Sequence, residues 1–284
     1  MSKQTSEAIA QIKRAGILSA GVCRFSDAPL LPGVRSAARL PKAAKSVLVC
    51  LFPYYAGDFP GRNLSLYAVI PDYHAVAGGM LEEACRCLSA RFPGEAFAPF
   101  VDASPLDEVT AAERAGLGER GRNGQLLTAE YGSFVFIGEI VTTMELEPTP
   151  AERLNLCGGC SACLAACPTG ALAGGMVRKE RCRSHLTQKK GALSEQERRE
   201  IAEGGFVWGC DRCTLACPRN QNPAPTPIEA FRKGAEPVVT GENLGRLLQN
   251  RAFAYRGRAL LERNLAILAE REEPRRKNSA RLLP

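Results

Sequence analysis

Eight cysteines between residues 157 and 217 constrain this chain more than any other feature of its sequence. The first run, CGGCSACLAACP over residues 157–168, has the spacing C-x2-C-x2-C-x3-C-P, which is typical of ligands to [4Fe-4S] cubes. Two-residue gaps let successive thiolates of one tight loop reach different irons, and the small residues between them allow a close backbone approach. The run therefore predicts iron–sulfur ligation.

The second run, CDRCTLACP over residues 210–218, contains three cysteines, and we predict that Cys182 is the missing fourth ligand. In two-cluster ferredoxins the last cysteine of a run binds the other cluster. We therefore predict two groups of ligands. The first quartet is Cys157, Cys160, Cys163 and Cys217, and the second quartet is Cys167, Cys182, Cys210 and Cys213.

Zinc and disulfide bonds are the alternatives for such a segment. Disulfide frameworks are typical of short secreted chains, whereas this chain has 284 residues. CxxC pairs also bind zinc, but eight thiolates at this spacing suit two cubes better. The remaining cysteines lie in apolar segments and are predicted to be small core residues, namely Cys23, Cys50, Cys85 and Cys87.

The length exceeds one typical domain of about 100 to 200 residues. We predict three parts, residues 1–148, 149–227 and 228–284, because polar, proline-bearing segments separate them. No stretch approaches the roughly 18 apolar residues of a membrane span. The first residues also lack the apolar core of a signal peptide. We therefore expect a cytoplasmic protein that does not bind membranes.

Hydrophobic periodicity in the first part predicts alternating helices and strands, as in a mixed α/β layer. Helices are expected at 5–16 with Ser6 as cap, within 71–92 with Tyr73, Val76, Met80, Ala84 and Cys87 at helical spacing, and at 107–116; strands are expected at 46–52, 97–101 and 132–143. In the last part, NLGRLLQNRAFAY and GRALLERNLAILAEREE predict a pair of helices.

Other motifs of the first part are less specific. Residues 116–121 match GxGxxG, but a predicted helix precedes them, so we reject dinucleotide binding and expect Arg120 and Arg122 to approach an anionic or amide-rich cofactor. Asp102 follows a strand end, where partial burial is expected to raise its pKa and make it a proton donor. The alternative for Asp102 is that it caps the following turn. His74 is expected to be a surface or capping residue rather than a catalyst.

Together these motifs resemble the epoxyqueuosine reductases, which are cobalamin-dependent iron–sulfur enzymes that complete the queuosine base in tRNA. The resemblance covers about residues 42–220 and includes KSVLVCLFPY, YAVIPDYH, FVDASP, AERAGLG, YGSFVFIGEI, RCRSHLT and both cysteine runs. It implies an α+β chain: a nitroreductase-like α/β sandwich that binds cobalamin, a ferredoxin-like module with two [4Fe-4S] clusters, and a short helical pair.

The resemblance also implies residue roles and partners. Asp102 matches the proposed proton donor, and Gly132, Ser133, Ser184 and Asp211 fall in segments that line the corrinoid pocket. The implied substrate is tRNA, and the implied electron donor is a flavodoxin or ferredoxin. Residues 241–284 carry ten Arg or Lys and five Glu, which accounts for most of the net charge of +7 and favours a polyanionic partner.

Several positions depart from the family pattern. They are Val109 after Glu108, Glu119 and Arg122 in the glycine loop, His185 after Cys182, and Arg219 in CPRN, and most of the family's C-terminal repeat region is also missing. Three interpretations therefore stay open. The chain is the tRNA-modifying reductase, a related corrinoid reductase with another substrate, or a non-catalytic electron-transfer protein.

Overall fold

The computed structural model describes residues 1–152, 154–173 and 176–279, with backbone alone for 272–279. The strands are β1 (Ser19–Arg24), β2 (Ser46–Pro53), β3 (Phe97–Val101), β4 (Glu119–Arg120), β5 (Leu126–Leu127), β6 (Val135–Thr142), β7 (Leu172–Ala173) and β8 (Met176–Val177). The α-helices are α1 (Lys3–Arg14), α2 (Leu66–Val69), α3 (Tyr73–Arg91), α4 (Glu108–Arg114), α5 (Ala162–Ala166), α6 (Arg183–Gln188), α7 (Glu195–Gly204), α8 (Arg212–Leu215), α9 (Glu229–Lys233), α10 (Leu244–Leu247) and α11 (Arg258–Ser279).

An antiparallel sheet with the strand order β1-β2-β6-β3 forms the centre of the first part. β2 and β6 pair along their whole length, with Ser46 opposite Thr142 and Pro53 opposite Val135. Every residue of β2 is buried, because a central strand covered on both faces has no solvent side. That position explains the uninterrupted apolar run that predicted this strand.

Helices cover both faces of the sheet. α1 and α3 pack on one face, where Ile12 and Leu81 join Leu48 of β2 in one apolar core. α4 packs on the other face in a second core that contains Val47 and Val49. Neighbouring residues of β2 alternate between the two cores because side chains of a strand alternate between its faces. The first part is therefore an α/β sandwich with an antiparallel sheet.

Two details of the predicted helices are wrong. α1 begins at Lys3, and its N-cap is Ser2, whose hydroxyl accepts from the Thr5 amide at 3.2 Å; Ser6 lies inside the helix. The buried stripe of α3 is shifted from the predicted one and consists of Ala77, Leu81, Ala84 and Leu88. In both cases the helix exists, but packing against the sheet selects a different boundary or face.

The C-terminal part differs from the predicted helical pair. Its second member is a long helix, α11, but the first is divided between α10 and a 3-10 turn at Ala252–Arg256. Leu244 and Phe253 from these short elements pack with Leu261 of α11 and with Trp208 of the cysteine module. Residues 280–284 of the predicted basic tail lie outside the described residues. Within the described ranges, no helix is long and apolar enough to cross a bilayer.

Gly-to-Ala changes at Gly21 and Gly79 should have opposite effects on stability, because Gly21 of β1 lies against Ala115, the C-cap of α4, whereas Gly79 of α3 faces open space. A Cβ at Gly21 would lie 2.3 Å from the carbonyl oxygen of Ala115, whereas a Cβ at Gly79 in α3 meets no atom within 4 Å. We expect Gly21→Ala to lower the free energy of unfolding by about 1–3 kcal/mol. Gly79→Ala should raise it by about 0.5–1 kcal/mol. Denaturant unfolding compares them, and equal stabilities would contradict the contact.

Candidate functional site

A buried ion pair holds the cysteine module against the sandwich. Arg62 lies 2.9 Å from Asp211 Oδ2, and the Leu66 amide donates to the same oxygen at 2.9 Å. Burial raises the pKa of Asp211 to about 6, while Arg62 and the Leu66 amide oppose the rise. Asp211, one of the predicted corrinoid contacts, therefore lies at the junction of the two parts.

Asn220 makes a second connection across this junction. Its side-chain nitrogen donates to Ser133 Oγ at 2.8 Å and to the Thr214 carbonyl at 2.7 Å, and its side-chain oxygen accepts from the Ser133 amide at 2.8 Å. A Cβ at Gly132 would lie 2.0 Å from that oxygen, and Gly132 has a φ of +56°. Only glycine fits there. Gly132 and Ser133 thus lie beside the second run, with the Ser133 hydroxyl already engaged by Asn220.

Ser184, the fourth predicted corrinoid contact, lies in α6 and is a neighbour of the Tyr67 hydroxyl. Near the same hydroxyl, Ser65 Oγ and Trp208 Nε1 are buried without a hydrogen-bond partner among the described residues. Buried polar atoms usually have partners. This corner of the junction therefore fits an additional group with polar substituents, and the amide side chains of a corrinoid are groups of that kind.

The first quartet surrounds one cavity. Cys157, Cys160, Cys163 and Cys217 all line a space of about 320 Å³. Burial raises the pKa of the Cys163 thiol, and the nearby thiols of Cys157 and Cys217 add to the rise. Cys217 belongs to the second run, so it lies with three cysteines of the first run. Four thiols around one cavity fit a cluster larger than a single ion.

The second quartet is also brought together. Burial raises the pKa of the Cys213 thiol to about 12, and the thiols of Cys210, Cys182 and Cys167 raise it further. The short helices beside these cysteines, α5 and α8, also pack against each other, so Cys167 at the end of α5 lies near Cys213 of α8. In the part of the chain that the structure describes, no three His, Cys, Asp or Glu side chains are arranged to hold one metal ion.

Asp102 is paired with His74. His74 Nε2 lies 3.0 Å from Asp102 Oδ2, and Nδ1 lies 2.7 Å from Asp72 Oδ1. Asp102 and Ala103 both have positive φ, +52° and +44°, which is uncommon for residues other than glycine. The hydrogen bond from His74 lowers the pKa of Asp102 and outweighs the effect of burial. The expectation of a raised Asp102 pKa is therefore wrong.

A row of aromatic rings runs from this pair toward the cysteine module. Tyr73 stacks on His74 with ring centroids 4.1 Å apart and on Phe136 at 4.0 Å, and Phe136 lies 4.6 Å from Tyr54. Tyr54 lies edge-on to Phe134 with ring centroids 5.7 Å apart, and the neighbouring Ser133 is hydrogen-bonded to Asn220 of the cysteine module. The row therefore runs from the His74 pair to the junction with the cysteine module.

Sequence reasoning missed two carboxyls beneath the Asp102 loop. Glu139 is fully buried in β6 and accepts a hydrogen bond from Ser104. Burial raises the pKa of Glu139 to about 7 and that of Glu108 to about 8, with Glu139 and Asp102 adding to the latter. Each carboxyl has one oxygen without a partner among the described residues. The available signal was a glutamate inside the apolar strand FVFIGEIV.

The glycine loop follows α4, which agrees with the rejection of dinucleotide binding. Its two arginines have different environments. Arg120 Nη2 lies 2.7 and 2.8 Å from the two carboxyl oxygens of Asp107. Arg122 donates to the Cys160 carbonyl at 3.2 Å. Of the pair, Arg122 is the one that contacts the segment carrying the first quartet.

An α/β sandwich joined to two cysteine quartets defines a double-cluster iron–sulfur protein. The family model "4Fe-4S double cluster binding domain" matches residues 156–220, and "Epoxyqueuosine reductase QueG, DUF1730" matches residues 35–103. The epoxyqueuosine reductase of Gloeobacter violaceus is 39% identical over 197 residues, which are 67% of this chain and 58% of that protein. The Listeria monocytogenes enzyme is 36% identical over 219 residues, 70% of this chain and 55% of that protein.

A solved structure agrees with these relatives. The crystal structure of an epoxyqueuosine reductase with a tRNA-Tyr epoxyqueuosine-modified tRNA stem loop has a TM-score of 0.81 and 25% identity, and covers 94% of this chain and 80% of that one. This chain belongs to the epoxyqueuosine reductase family. It spans between half and three fifths of the length of the two curated relatives, at 58% and 55%.

The His74–Asp102 pair predicts a titration that NMR can follow. The hydrogen bond to Asp102 is the main cause of the raised His74 pKa, and Asp72 adds to it. Asp102→Asn should therefore lower that pKa. The pair stabilises the fold fully below the unfolded pKa of about 6.5, and this stabilisation is lost as the pH rises through the folded pKa.

The chain has two histidines, so loss of one signal in His74→Gln assigns the resonance, and His185 serves as the internal reference. A His74 pKa that does not change in Asp102→Asn would show that the pair does not form in solution.

Proposed function

We propose that this protein is a cobalamin- and iron–sulfur-dependent reductase that removes the epoxide oxygen of epoxyqueuosine in tRNA. The observation that carries the proposal is that one row of aromatic rings runs from the His74–Asp102 pair to the junction with the cysteine module. Conversion of an epoxide to an alkene and water consumes two electrons and two protons. A site for it therefore needs both an electron path and a proton donor.

Each quartet is assigned one [4Fe-4S] cluster, and cobalamin is assigned to the junction. The cavity among the first quartet and the mutual effects among the second support the clusters. Gly132, Ser133, Ser184 and Asp211 would hold the corrinoid, and near Ser184 the buried Ser65 Oγ and Trp208 Nε1, which have no partner among the described residues, are available to its polar groups. When bound, cobalamin supplies the reduced metal centre needed for cleavage of the carbon–oxygen bond.

We assign delivery of the proton to the departing oxygen to His74 and Asp102. His74 is held between two carboxylates, so its imidazolium is favoured, and Asp72 orients the ring through Nδ1. Because the Asp102 pKa is lowered, the imidazolium is the proton store. Asp102, with its side chain 57% exposed, is the group that passes the proton to the departing oxygen.

The surface beside Asp102 fits a nucleic acid. A 3-10 turn at Arg35–Arg39 lies against the Asp102 loop, where Ser36 Oγ donates to the Ala103 carbonyl at 2.5 Å. Both arginines of the turn are exposed, and the Arg39 guanidinium lies 4.7 Å from the Phe100 ring centroid. Exposed guanidinium groups position a backbone through its phosphates. These side chains support tRNA as the substrate, which would be bound in the cytoplasm.

We retain the three predicted parts: residues 1–148 form the sandwich with the His74–Asp102 pair, residues 149–227 form the cluster module, and residues 228–284 form a C-terminal segment.

The proposed electron donor is a flavodoxin or ferredoxin. The departures from the family pattern are accommodated locally: Val109 packs in the second core of the sandwich, and Glu119 accepts from the Cys157 amide at 2.8 Å.

Anaerobic reconstitution with iron, sulfide and cobalamin, followed by incubation with an epoxyqueuosine tRNA stem loop and reductant, tests the proposal. We expect queuosine as the product. Asp102→Asn should lower turnover by about 100-fold or more while iron and cobalt remain bound. The matched control is Asp27→Asn, which changes an exposed aspartate of the sandwich.

Two outcomes would contradict the proposal in different ways. Bound cobalt without conversion would indicate a related reductase with another substrate. Bound iron without cobalt would indicate an electron-transfer protein.

A further inference from the structure

Two arginines share the cavity of the first quartet. Arg122 and Arg219 line the same space of about 320 Å³ as the four cysteines. Arg122 Nη1 donates to the Cys160 carbonyl at 3.2 Å, and Arg219 Nε donates to the Leu156 carbonyl at 3.1 Å. The guanidinium groups come from the glycine loop and from the second run, so they contact one cysteine segment from two separate parts of the chain.

Neither guanidinium has a carboxylate within 4.0 Å among the side chains that the structure describes. Arg122 also lines an adjoining cavity of about 490 Å³ that carries both signs of charge, including Glu113 and Glu119, whereas Arg219 lines only the cavity of the first quartet among the cavities described. Arg122 and Arg219 therefore place positive charge without a carboxylate partner beside the first quartet. A patch of one sign favours a partner surface of the opposite sign.

We propose that Arg122 and Arg219 form the docking surface for an acidic one-electron carrier protein, which reduces the cluster of the first quartet. This inference rests on the proposed ligation of that cluster. In each transfer the reduced carrier loses one electron and the oxidised [4Fe-4S] cluster gains it. Two transfers supply the pair of electrons that the proposed reaction consumes.

The solvent exposure of its residues favours the first quartet as the point of electron entry. Cys160 is exposed, and so are Pro218 and Arg219 beside it, whereas every cysteine of the second quartet is half-buried. The second quartet also lies toward the sandwich, because Asp211, between Cys210 and Cys213, contacts Arg62 and the Leu66 amide. Electrons that arrive at the first quartet would thus pass through the second before they reach the junction.

A competing basic surface lies next to the second quartet and provides a matched control. Lys179 and Arg181 are exposed and precede Cys182, but neither lines the cavity of the first quartet. If the carrier docked near Cys182 instead, changes at these two residues would affect electron transfer. Changes at Arg122 and Arg219 would then have little effect.

The experiment measures anaerobic stopped-flow reduction of the reconstituted full-length chain by a reduced flavodoxin with an acidic surface. We expect Arg122→Gln/Arg219→Gln to lower the second-order rate constant by about tenfold at low ionic strength and to weaken its salt dependence. The Lys179→Gln/Arg181→Gln variant should change the rate constant by less than about twofold. Arg122→Lys/Arg219→Lys, which keeps both charges, should retain most of the rate and its salt dependence.

Reduced methyl viologen, a small cation, provides a second reductant, and its rate should not fall when the arginines are removed. Iron analysis accompanies every variant. About eight irons per chain with an unchanged flavodoxin rate in the Gln variant would overturn this inference and leave the proposed function intact. A larger loss in the Lys179/Arg181 variant would also overturn it. Absence of iron from the first quartet in the parent chain would instead contradict the ligation proposal.

Discussion

The exchange of cysteines between the two runs is the constraint on which the rest of the arrangement depends. Cys217 lies with the first run and Cys167 with the second, so neither group of four is complete within one run. The chain must therefore bring α5 and α8 together. Asn220, three residues after Cys217, then reaches Ser133, and Asp211, beside Cys210, reaches Arg62. The same exchange that groups the thiols thus places the module against the sandwich.

The pKa of Asp102 is determined by its hydrogen bond with His74 rather than by burial. Asp102 is partly exposed, and the hydrogen bond from His74 lowers its pKa despite some desolvation. Glu108 and Glu139 show the opposite case: no cationic side chain among the described residues pairs with them, and burial raises their pKa values toward neutrality. Two kinds of carboxyl therefore lie close together around the Asp102 loop. The exposed one is ionised, and the buried ones retain protons near neutral pH.

Sequence patterns predicted the features that neighbouring residues determine by themselves. The apolar run of β2 and the ligand spacing of the first run are direct consequences of burial and of cluster geometry. Tertiary contacts determined what the sequence could not show. Ser6 is a suitable cap residue, but the helix begins earlier at Ser2. The Asp102 pKa depends on His74, 28 residues away in sequence, and the first C-terminal helix is divided because its apolar residues pack around Trp208.

Iron analysis of two double variants tests the exchange of ligands most directly. Cys157 and Cys217 belong to one quartet, so replacing both with alanine should remove one cluster and leave about four irons per chain. Cys157 and Cys167 belong to different quartets, so the corresponding double variant should lose nearly all iron. Cys87→Ala, outside both quartets, should keep about eight. The reverse result, with four irons in the Cys157/Cys167 variant and almost none in the Cys157/Cys217 variant, would contradict the exchange.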